Sequence, residues 1–179
     1  MFMTRRAALF GTVSTLALAA CSGDGLTPAQ VVADAQGVAG AFAKALPIVT
    51  AADPDLIPPA TDAKVTGEIN LAQGTLSALA ANLPPASTGQ NVLGKVVGYF
   101  NDALDAAAAV TPAAADLFPD LAPAVPLIQA ASVLIPMIEA FVTPTPAGTT
   151  TQASLRAKAL APAMTVDQAR ARLGVAVVS

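Results

Sequence analysis

The 179-residue chain has no histidine, no tryptophan, one cysteine and one tyrosine, Tyr99. Each absence removes a class of chemistry. Without histidine there is no Ser-His-Asp triad, no Cys-His pair and no imidazole metal ligand. One cysteine neither closes an intramolecular disulfide nor builds a thiolate zinc site. Few rings are left on which sugars or bases could stack. Charge is also scarce, at 12% of residues against roughly 25% in an ordinary globular chain. What remains is 54% hydrophobic, about a quarter alanine, and punctuated by 15 prolines. High hydrophobicity with low charge argues against global disorder. The length suits one domain with its own core.

The N-terminus has three parts. Arg5 and Arg6 form a positive start, residues 7–20 are uncharged and mostly apolar, and Ala19 and Ala20 precede the sole cysteine, Cys21. This is the layout of a secretory signal. Its apolar stretch is short of the roughly 20 residues a spanning helix needs. Leu18-Ala19-Ala20-Cys21 resembles the lipobox of bacterial lipoproteins. The resemblance covers the first two dozen residues and implies cleavage between Ala20 and Cys21. It also implies a diacylglycerol on the Cys21 sulfur, which becomes the attachment to a lipid bilayer. Each buried methylene contributes about 0.8 kcal/mol, so several acyl chains anchor tightly.

Thr4-Arg5-Arg6-Ala7-Ala8-Leu9 is similar to a twin-arginine export motif, with Ala8 where that pattern prefers phenylalanine. Both that route and the general secretory route stay open. The resemblance to lipoproteins of Gram-negative bacteria also implies that Ser22, a residue other than aspartate after the cysteine, favours the outer over the inner membrane. Loss of Arg5 and Arg6 leaves seven basic against twelve acidic residues, a net charge of -5. Such a chain has no general attraction to nucleic acid.

Beyond a short tether, 21–27, the spacing predicts an all-α fold. Its bundle of about four main helices spans 28–142, with Pro-rich loops and a short C-terminal helix. Thr27-Pro28 opens the first helix, with Val31, Ala35, Val38, Phe42 and Leu46 on one stripe and an expected end before Pro47. Residues 47–61 read as a loop. Thr61 or Asp62 is the expected cap of a second helix carrying Val65, Ile69, Ala72, Leu76, Leu79 and Leu83. A turn over 84–90 leads to a third helix from about Asn91 to Val110, striped by Leu93, Val97, Phe100 and Leu104. Thr111-Pro112 repeats the cap signal. A fourth apolar helix runs from about Pro126 to Val142, with Pro136 expected to kink or end it. Residues 121–138 carry no charge. Their prolines and Gln129 favour a buried helix over a membrane-inserted one.

Residues 143–152 read as a Thr/Pro linker, and 153–179 as a basic tail with a detachable helix. In that tail Thr165-Val166-Asp167-Gln168 forms a capping box and Gly174 closes the helix. Deletion of the tail is expected to leave the bundle folded.

Carboxylates are the main chemical resource. Asp53, Asp55 and Asp62 are a candidate calcium loop without an EF-hand pattern. Asp102 with Asp105, and Asp116 with Asp120, are candidate acid pairs that lack any sign of desolvation. Ser77, Ser87, Ser132 and Ser154 coexist with Lys44, Lys64, Lys95 and Lys158, but no serine-nucleophile motif surrounds them. The expectation is a non-enzymatic, periplasm-facing lipoprotein with a structural, assembly or binding role and no cofactor or metal. Its partner would be an unknown protein or an apolar ligand carried within the bundle. Insertion of 121–138 into a membrane is the other alternative.

Overall fold

The computed structural model describes residues 27–84, 86–143 and 164–176. The signal region with Arg5, Arg6, Ala20 and Cys21, the expected linker beyond Thr143 and the first part of the tail lie outside the described residues. Among the described residues the chain is all-helical. It runs through α1 (Pro28–Ala52), α2 (Pro59–Ala81), α3 (Ala86–Ala106), α4 (Pro112–Leu117), a 3-10 turn (Pro119–Leu121), α5 (Val125–Val142) and α6 (Val166–Leu173).

The Thr27 side chain accepts a hydrogen bond from the Gln30 N–H at 3.1 Å, and Pro28 occupies the first turn. The stripe Val31, Ala35, Val38, Phe42 and Leu46 is fully inside. The expected end before Pro47 is wrong: α1 continues to Ala52. Proline removes one backbone donor, but burial of Val49 rewards another turn. Pro47 itself is exposed. The Thr50 hydroxyl donates to the Leu46 carbonyl at 2.9 Å.

The loop expected over 47–61 therefore shrinks to 53–58. Neither Thr61 nor Asp62 caps α2; Pro58 stands at that position, and its carbonyl accepts the N–H groups of both at 2.8 and 2.9 Å. Asp62 sits in the first turn, where a carboxylate faces the positive end of the helix dipole. Val65, Ile69, Ala72, Leu76 and Leu79 are buried as expected, whereas Leu83 lies past the helix end and is 53% exposed. The third helix begins at Ala86, earlier than Asn91, and ends at Ala106, before Val110. Two antiparallel helices need only a short connection, and here α2 ends at Ala81 and α3 starts at Ala86.

Thr111 caps α4 by accepting the Ala114 N–H at 3.1 Å. Pro136 lies inside α5 without ending it.

Helices α1, α2, α3 and α5 form a four-helix ring in which α1 touches α2 and α5, and α3 touches the same two. Neighbours are antiparallel. Lys64 near the start of α2 meets Asp102 near the end of α3. Gln90 at the start of α3 donates to the Phe141 carbonyl at the end of α5, at 3.4 Å. Phe42 and Phe100 meet across the core with ring centroids 6.4 Å apart. The bundle thus has a tether end, where α1 starts, the α2–α3 turn passes and α5 stops. Its far end holds the 53–58 loop and the α4 region.

The short C-terminal helix, expected to be detachable, is seated on the bundle. Thr165 and Gln168 close the capping box, and Gly174 ends the helix at φ 69°. The helix packs on α5 and α1, with Ala169 fully buried.

Candidate functional site

Three places in the fold gather side chains of chemical interest. The first joins α1 to α6. Asp34 is 1% exposed and Arg170 is 9% exposed. Arg170 Nε donates to Asp34 Oδ1 at 2.9 Å and Nη2 to Oδ2 at 2.7 Å, a two-pronged pair that matches fork to carboxylate. Gln30 Nε2 also donates to Asp34 Oδ1, at 2.9 Å. The hydrogen bond to Asp34 holds the Arg170 guanidinium above its ordinary range, against the opposing effect of burial.

Sequence reasoning missed this network. The signal was present: Asp34 sits three residues after Val31 and four before Val38, on the buried face of α1. A carboxylate there demands a partner, and the tail supplies cations. The pair consumes both charges and leaves no free group for chemistry; it is a clasp.

The second place is the far end. Lys64 Nζ lies 2.7 Å from Asp102 Oδ2 and 3.6 Å from Glu68 Oε1. Its hydrogen bond with Asp102, and then the charges of Asp102 and Glu68, raise the Lys64 pKa above the ordinary 10.5. The ammonium is exposed, so this is a solvated surface pair. An open cleft of about 370 Å³ lies here, lined by Leu56, Pro58, Thr61, Lys64, Asp102 and Asp105.

The candidate calcium loop is not assembled. Asp53 Oδ1 accepts the Asp55 N–H at 2.9 Å, and Asp62 belongs to α2. Among the described residues no three carboxylates are grouped as metal ligands. Asp116 and Asp120 sit on α4 and the 3-10 turn, both exposed. Asp102 accepts a hydrogen bond from Lys64.

Ser77 and Ser132 donate to the carbonyls of Gln73 and Gln129 in their own helices, both at 2.8 Å. Lys44 and Lys95 are exposed. Ser154 and Lys158 lie outside the described residues, as does the Ser87 side chain.

The third place is the tether end. A notch of about 160 Å³ is lined by Pro28, Val32, Leu79, Leu83, Leu93 and Phe141. Cys21 lies six residues before the helix cap Thr27 and outside the described residues.

Comparison with protein-family models, with curated proteins and with solved structures returns no match.

Proposed function

We propose that the chain is a membrane-anchored, periplasm-facing lipoprotein with a non-catalytic structural, assembly or binding role. The observation that carries this reading is the sole cysteine, placed behind Leu18-Ala19-Ala20 and six residues ahead of the α1 cap. A tether of that length holds the bundle beside its anchor. The packing fits a rigid presenting body: the axial residues Phe42, Leu76, Phe100 and Leu134 are fully buried. The two clefts described lie at opposite ends, which favours surface binding over an apolar ligand carried between the helices.

Helices α1 and α5 are long and apolar enough to cross a membrane. Each has a partner for its apolar face within the bundle, since Ile128, Leu134, Ile135 and Ile138 of α5 are buried there. This favours anchoring by lipid alone over insertion of α5.

The test is metabolic labelling with palmitate in cells expressing the full chain or Cys21→Ala. Label on the wild type only, with Cys21→Ala recovered in the soluble fraction, supports the reading. Unlabelled wild type overturns it. Labelled wild type with Cys21→Ala still in the membrane would favour insertion of α5. Density separation of the labelled membranes then distinguishes outer from inner, the Ser22 reading favouring outer.

A further inference from the structure

The two ends of the bundle differ in charge. From Ile69 to Gly94 no residue is charged, a stretch that covers the lower part of α2, the α2–α3 turn and the start of α3. Charges at the tether end are few: α1 has only the buried Asp34 there, α5 has the half-buried Glu139 in its last turn, and α6, seated on α1 at Asp34 and Gly37, brings Asp167 and Arg172 beside Arg170. The carboxylates of Asp53, Asp55, Asp62, Glu68, Asp102 and Asp105 all belong to the far half. We propose that the tether end, sparsely charged and with no charge on its α2–α3 side, rests on the phospholipid surface and seats Leu83, Pro84 and the apolar notch beside them in the interfacial layer. This rests on acylation of Cys21.

Reach and charge both select this end. Six residues span at most about 20 Å when extended. The 25-residue α1 is about 37 Å long, so the far end lies beyond the reach of the tether. Pressing that end onto anionic headgroups would also bring its carboxylates within the screening length of about 8–10 Å. Exposed apolar area alone would not decide. Leu117 and Phe118 are exposed at the far end too, but Asp116 and Asp120 flank them. Leu83 has no charged residue within eleven positions on either side.

The experiment uses the full acylated chain in vesicles of phosphatidylethanolamine and phosphatidylglycerol. Acylated Cys21 is blocked, so Leu83→Cys or Leu117→Cys carries a unique fluorophore. Both positions are exposed, and neither substitution touches the core. Brominated acyl chains should quench the reporter at position 83 severalfold more than the one at 117. Mass spectrometry of the same samples reports acylation. Unacylated Cys21 overturns both the lipoprotein reading and the seating. Acylated Cys21 with equal quenching at the two positions overturns the seating alone, as does a reporter at 83 shielded by a second copy of the chain and therefore unquenched.

Discussion

Arg170 and Asp34 stand 136 residues apart in the chain and 2.7 Å apart in the fold. The pair clasps the last helix onto the first. Both groups have left water, so their attraction is set against a large desolvation cost. Removing one partner strands a buried charge. Arg170→Ala and Asp34→Ala should each cost about 3–5 kcal/mol, read as a lower urea midpoint. The double replacement Asp34→Leu with Arg170→Met should recover most of that loss. Singles that behave like the wild type would show that the pair is solvated in solution.

Truncation after residue 163 should follow the same logic. It removes Arg170, Ala169 and Leu173 together, and leaves Asp34 facing a vacated groove. Thermal melting of the truncated chain should begin well below that of the full chain. An unchanged midpoint would restore the view of the tail as an independent appendage.

Glycines on α1 and α2 separate two effects. A Cβ on Gly37 would collide with the Val175 side chain, while one on Gly74 meets nothing within 4 Å. Alanine in a helix interior gains about 0.5–1 kcal/mol over glycine. Gly74→Ala should therefore raise stability by that amount. Gly37→Ala should lose the gain by pushing the segment after α6 off its seat, seen as faster amide exchange in 170–175. Equal gains at both sites would show that Val175 does not rest on α1.

Much of this fold was legible because local and tertiary preferences agree. The Val31, Ala35, Val38 and Phe42 stripe, the Thr27 and Thr111 caps and the Thr165–Gln168 box need only neighbours in sequence. The misreadings arise where they disagree. Proline rules end α1 at Pro47, yet Val49 is buried two residues later. The clasp was invisible to spacing because its halves are distant in sequence. The proposed lipobox rests on four successive residues, Leu18 to Cys21, so it needs no tertiary information to be proposed. The apparent Asp53, Asp55 and Asp62 cluster divides between a loop and a helix start once the chain folds.

Pro47 gives a prediction of the opposite sign to most substitutions. Its ring is exposed, and α1 goes on past it without the hydrogen bond that its nitrogen would donate to the Ala43 carbonyl. Pro47→Ala should restore that donor and stabilise the protein by up to about 3 kcal/mol. Pro28→Ala, at the first turn where the N–H has no helical acceptor, should change little. A destabilised Pro47→Ala would mean that the proline shapes the turn into the 53–58 loop.

The far-end pair makes a weaker, screenable contribution. Lys64 donates to Asp102 at 2.7 Å, and that contact raises its pKa above 10.5. A raised lysine pKa means the folded state holds the proton more tightly than the unfolded chain. The stabilisation is therefore complete below 10.5 and is lost as pH rises through the folded-state value. Exposure limits its size, and salt should erase it, because solvated charges are screened at high ionic strength. Lys64→Met should thus melt slightly below the wild type at neutral pH and low salt. The two should converge both at strongly alkaline pH and in molar salt. A gap that survives molar salt would instead point to packing of the Lys64 stem against Val65 and Leu56 in the cleft wall.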